Sequence, residues 1–110
     1  MAFRRATRRV LVGDVIPLYE FLEHCVRSGY EAVPVVERPG TFSHRGSIVD
    51  VYSPSERNPV RIDFFGDEID SIRTFDAGTQ RSIETIESVV LAPASEALPE
   101  WGRAAEEALR

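Results

Sequence analysis

Val60-Arg-Ile-Asp-Phe-Phe-Gly-Asp-Glu-Ile-Asp-Ser-Ile-Arg-Thr-Phe75 is the stretch that decides how this chain folds. Two runs of alternating apolar residues meet at Gly66-Asp67, a pair of turn formers, which predicts a β-hairpin. On its first arm Val60, Ile62 and Phe64 share one face, leaving Arg61, Asp63 and Phe65 on the other. A cation, an anion and a large aromatic make an unusual outer face for a strand.

The segments around the hairpin extend the same pattern. Upstream, Ser47 to Tyr52 reads as a strand entered through Arg45-Gly46, and Ser53 to Pro59 is a loop by composition. Tyr30 to Glu37 reads as another strand, with Pro34 marking an edge or a bulge, before a turn at Arg38-Pro39-Gly40. Pro17 to Ser28 is the clearest helix. Leu18, Phe21, Leu22, Cys25 and Val26 follow i, i+3, i+4, i+7, i+8 spacing, and Gly29 is a good stop. Val10 to Val12 suggests a short strand. Downstream, Asp76 to Thr79 forms a turn, and Ser82 to Leu91 reads as one strand with Ile83, Ile86, Val89 and Leu91 facing the core. Pro93 and Pro99 bracket a linker, and Trp101 to Leu109 suggests a terminal helix.

This order divides the chain into a basic leader at 1–9, a folded body at 10–96 and a C-terminal helix at 97–110. Short connections favour antiparallel neighbours. The expected fold class is therefore α+β: a curved antiparallel sheet of about four or five strands with an N-terminal helix packed on it.

Composition narrows the function. The 110 residues carry 18 Asp+Glu against 13 Lys+Arg. Arg4, Arg5, Arg8 and Arg9 crowd the leader, so from residue 14 onward 9 Arg face 18 acids, a balance of 9 − 18 = −9. An acidic body repels phosphate backbones, which leaves the leader as the one segment suited to nucleic acid. No lysine is present, which excludes a GxxxxGK[ST] phosphate loop and lysine Schiff-base chemistry. One cysteine, Cys25, excludes an internal disulfide and reads as a small buried hydrophobe. Neither a spanning apolar run nor a signal peptide is evident, so a cytoplasmic location and no membrane partner are the default expectation.

Candidate chemistry is sparse. Asp50, Asp63, Asp67, Glu68 and Asp70 lie close enough in sequence to suggest a metal site, but Asp63 and Asp67 straddle the turn and the set lacks a His partner or a calcium-loop pattern. Asp50 reads as a partly buried acid paired to a nearby Arg. His24 lies off the helix stripe beside Cys25, and His44 sits in a turn-like context as a surface residue. No catalytic constellation or cofactor site assembles. The outer hairpin face, carrying Arg61, Asp63 and Phe65, reads as a protein-binding surface.

Five motifs sharpen that reading: Gly29-Tyr30; Val36-Glu37-Arg38-Pro39-Gly40-Thr41-Phe42; Arg45 to Tyr52; Pro59 to Ile69; and Ile72-Arg73-Thr74-Phe75-Asp76. From about residue 10 to residue 96 the chain resembles the UvrB-homology domain of bacterial nucleotide-excision-repair proteins. UvrB and the transcription-repair coupling factor Mfd share this module. Thr79-Gln80-Arg81-Ser82-Ile83-Glu84 and Leu91 to Glu96 are more similar to the Mfd form. The resemblance implies a non-catalytic platform that docks UvrA, the damage-recognition ATPase. The matching partner-binding positions are Arg45, Arg61, Asp63, Phe65 and Phe42. Two arginines that UvrB uses fall at Ala32 and Ser43, so those contacts are missing here. It also implies a parent whose other domains use ATP and Mg and engage RNA polymerase and double-stranded DNA. UvrB itself, or a nucleic-acid-binding module acting through the leader, is the alternative.

Overall fold

The computed structural model describes residues 7–94. One helix, α1 (Leu18–Arg27), packs on a six-stranded sheet of order β2-β3-β4-β5-β6-β7. Its strands are β2 (Glu31–Ala32), β3 (Thr41–Arg45), β4 (Ile48–Tyr52), β5 (Val60–Phe65), β6 (Glu68–Phe75) and β7 (Ser82–Ile86). A separate antiparallel ribbon joins β1 (Arg8–Leu11) to β8 (Ser88–Leu91), with Arg8 paired to Leu91 and Val10 to Val89. The expected C-terminal helix at 97–110 lies outside the described residues, as do residues 1–6 of the leader; Arg8 and Arg9 belong to β1.

The α+β class and the central hairpin agree with the sequence, but the strand count is six in the main sheet. One extra strand is β3, which forms a second hairpin with β4. Both hairpins turn in two residues, Gly46-Ser47 and Gly66-Asp67, with φ of +58° and +63° at the glycines alone. A positive φ at the first central position is the type II′ pattern, whose twist matches paired strands. Phe64 N–H donates to the Ser47 carbonyl, which sets both turns at the same end of the sheet.

Three other expectations change. β2 is two residues long and parallel to β3: Glu31 and Val33 N–H donate to the Gly40 and Phe42 carbonyls, and Pro34, whose nitrogen faces the open edge, follows as the chain leaves the sheet. The run from Ser82 to Leu91 breaks at Glu87 into β7 and β8, which belong to different sheets, and Ile83 is exposed. On α1, Phe21 and Cys25 are fully buried, whereas Val26 is exposed. One residue beyond Cys25, Val26 is rotated about 100° off the buried stripe.

The core lies between α1, the ribbon and one sheet face, where Val49, Val51, Ile62, Phe64 and Ile72 meet Phe21, Cys25 and Tyr30. Phe21 and Phe64 pack with ring centroids 5.7 Å apart. The Tyr30 hydroxyl donates to the Ala92 carbonyl, and Ala92 N–H donates to Ser53 Oγ, tying the chain after β8 to the loop after β4. Burial pushes the Cys25 thiol up to about 12, so almost no thiolate forms near neutral pH. Iodoacetamide at mildly alkaline pH should therefore leave Cys25 unmodified in the folded chain and label it fully in denaturant. Rapid labelling under native conditions would contradict this packing.

Candidate functional site

The sheet's other face holds the residues singled out by sequence, and strand register sorts them into rows. Ser43, Asp50, Arg61, Arg73 and Thr85 form one row across β3 to β7. Arg45, Ile48, Asp63 and Ser71 form the next row, nearer the two glycine turns. Phe65 stands at the tip, paired with Glu68.

The first row is built into the protein. Arg61 Nε and Nη2 donate to the two Asp50 carboxylate oxygens at 2.7 and 2.8 Å. The side chains are only 16% and 5% exposed, and these hydrogen bonds raise the Arg61 pKa further. The Arg61 guanidinium also lies 4.4 Å over the Phe75 ring, a cation–π contact. Phe75 and Val36 are fully buried yet stand apart from the main core cluster, which marks a second, smaller core on this face.

Residues 33–40 provide its cover. Gln80 Nε2 donates to the Val36 carbonyl at 3.0 Å and to the Ala77 carbonyl at 2.8 Å. Gln80 follows β6 and Val36 follows β2, so this contact carries the 33–40 segment across the face at the end remote from the glycine turns. Gln80 adopts a φ of +66° to make it. Asp76 Oδ1 supports the turn by accepting from Gly78 and Thr79 N–H, bonds that hold its carboxyl below the usual range. The half of the face near this segment is closed: Thr41, Ser43 and Asp50 are buried.

The other half is open. Arg45 is exposed, Ile48 and Asp63 are half-buried, and Phe65 is 79% exposed. Arg45 and Asp63 flank Ile48 across about 10 Å, two strand spacings. Among the described residues neither forms an ion pair. Phe42 differs from the other four candidates. It pairs with Val51, is 6% exposed and belongs to the core on the opposite face. Arg61 is committed to Asp50, leaving Arg45, Asp63 and Phe65 as the freely presented set.

Sequence reasoning passed over Ile48 and Arg73. Ile48 looked like an ordinary strand residue, and its place between Arg45 and Asp63 depends on pairing β4 with both neighbours. Arg73 faces Arg61 directly, with its buried Nε lacking an acceptor. Ser43, where UvrB carries an arginine by resemblance, lies opposite Asp50 and is 8% exposed. Ala32, the other such position, is exposed on β2 at the sheet edge. The arrangement suits recognition: opposite charges and an aromatic ring held on a rigid sheet end. Among the described residues no group of three or more His, Cys, Asp or Glu side chains is placed to hold a metal. No helix there is long and apolar enough to cross a membrane.

A family model described as the UvrB interaction domain matches residues 9–96. The chain belongs to that family. It is 45% identical over 95 residues to the transcription-repair-coupling factor of Myxococcus xanthus, covering 86% of this chain and 8% of the relative. The Bacillus subtilis (strain 168) coupling factor is 45% identical over 87 residues, covering 79% of this chain and 7% of the relative. UvrABC system protein B of Thermosipho africanus (strain TCF52B) is a lesser match, 41% identical over 85 residues, covering 77% and 13%. The chain thus spans under a tenth of the length of these coupling factors. Two of these relatives are named for transcription-repair coupling.

The two halves of the outer face should respond differently to substitution. Arg61→Ala leaves a buried Asp50 carboxylate without its partner and should cost about 3 kcal/mol of stability. Phe65→Ala removes an exposed ring and should change stability by less than about 0.5 kcal/mol. Urea unfolding of both variants measures the contrast; equal losses would contradict the assignment of covered and open halves.

Proposed function

We propose that this domain is a non-catalytic docking module for UvrA within a transcription-repair coupling factor of the Mfd type. The observation that carries the reading is the open half of the outer face, where an exposed Phe65 shares the surface with Arg45 and Asp63, neither of which forms an ion pair among the described residues. Large aromatics and arginines dominate binding energy at interfaces, and an exposed Phe on a hydrogen-bonded strand gains most when a partner covers it. Arg45 and Asp63 set a cation and an anion on either side of an apolar centre, an arrangement that fixes a partner's orientation and discourages wrong ones. The hairpin backbone is already ordered, so binding requires little further loss of conformational freedom.

Arg61 takes part mainly by holding the sheet in shape. Its guanidinium is spent on Asp50, so its substitution mixes a folding defect with any loss of contact. The coupling-factor parent would supply the ATP- and Mg-dependent motor and the contacts with RNA polymerase and double-stranded DNA, in a cytoplasmic protein. The acidic body of this domain fits a protein partner better than a nucleic-acid one.

Binding to immobilised UvrA tests the proposal. Phe65→Ala and Arg45→Glu should each weaken binding by about tenfold or more while retaining the parent's thermal midpoint. Undiminished binding by both variants would remove the proposal.

A further inference from the structure

Phe65 and Val15 are the two most exposed large hydrophobic side chains among the described residues, at 79% and 77%. Far apart in sequence, they meet in one row. Phe65 pairs with Glu68 across the β5–β6 turn, and Val15 pairs with Glu68 from the other side through an antiparallel bridge. Paired residues project to the same face, so Phe65, Glu68 and Val15 stand abreast, each about 5 Å from the next.

Val15 is firmly held. Gly13 N–H donates to the Ile69 carbonyl, Ile69 N–H to the Asp14 carbonyl, and Ile16 N–H to the Asp67 carbonyl, at 2.7–2.9 Å. These bonds lay residues 13–16 along the part of β6 that β7 does not reach. Ile16 then turns into the core, which directs Val15 outward. Single exposed apolar residues are ordinary on a protein surface. Here two of them border one carboxylate, at the end of a face already carrying Arg45, Ile48 and Asp63.

We infer that the docking surface runs on through Glu68 to Val15. The partner brings an apolar group against Phe65 and Val15 and a basic side chain to Glu68. This inference rests on the docking reading above and specifies the chemistry of the partner's contact. Charge supports it: Asp67, Glu68 and Asp70 are exposed at the tip and, among the described residues, form no ion pair. Their complement is cationic, and the same acids repel nucleic-acid phosphates and anionic lipid.

Val15→Ser, Val15→Ile, Glu68→Gln and Phe65→Ala in the 110-residue chain, each titrated with UvrA at low and high salt, test the inference. Val15→Ser should weaken binding about tenfold, the loss expected for one buried apolar side chain, and Val15→Ile should bind like the parent. Glu68→Gln should weaken binding several-fold at low salt and less at high salt, as a screened charge contact requires. Thermal midpoints check the fold. If Val15→Ser lowers its midpoint, the isosteric Val15→Thr takes its place, with a loss of about threefold expected. Parent-like binding by the Val15 variant while Phe65→Ala binds poorly overturns the inference and leaves the docking reading standing. Parent-like binding by the Val15 variant, Phe65→Ala and Arg45→Glu alike overturns the two together.

Discussion

The bidentate ion pair between Asp50 and Arg61 holds the centre of the outer face, and much else follows from where it sits. It joins adjacent strands β4 and β5, both charges are largely removed from water, and the guanidinium roofs Phe75. A charge pair withdrawn from solvent is tolerated when hydrogen bonds satisfy it and harmful when one partner is removed. On the same face Gln80 fastens the 33–40 segment through the Val36 carbonyl, and Val36 is fully buried. The pair therefore marks the boundary between a closed half that stabilises the fold and an open half that faces solvent. Two glycine turns keep the open half rigid without covering it.

This boundary also explains why similar-looking residues have different roles. Arg61, Asp63 and Phe65 occupy alternate positions of one strand, on one face, yet the first two are half-buried and only Phe65, next to the turn, is exposed. Arg61 is structural in the first instance. Asp63 is partly free, and Phe65 is almost wholly in solvent. A surface of this kind separates stability from recognition, so the binding end can vary without loosening the core. Ser43 illustrates the converse. It lies in the closed half against Asp50, so a longer side chain there would have to displace the cover to reach a partner.

Much of this was legible in the sequence because strand alternation has a period of two. The hairpin, its turn, the inward set Val60, Ile62 and Phe64, and the helix stripe around Phe21 and Cys25 all followed from local pattern. The pairing of Asp50 with an arginine was also expected. What escaped was long-range. Ser43-His44-Arg45 shows no apolar alternation, so β3 was hidden, and with it the fact that Phe42 turns to the core beside Val51. The closing of one half by Val36 and Gln80 joins residues 44 positions apart, which no local pattern encodes. Val15 drew no attention because its partner, Glu68, lies in another part of the chain. Ile83 fitted an inward pattern for a longer strand, but the break at Glu87 places it on an exposed edge.

A docked partner should cover the open half of the face and leave the 33–40 segment alone. Cross-saturation from unlabelled UvrA to the isotopically labelled domain measures that contact directly. The strongest transfer is expected at Val15, Arg45, Ile48, Asp63, Phe65 and Glu68, with little at Val35 in the 33–40 segment or Ile83 on β7. Transfer concentrated on Val35 and Ile83, with the hairpin tip unaffected, would contradict it.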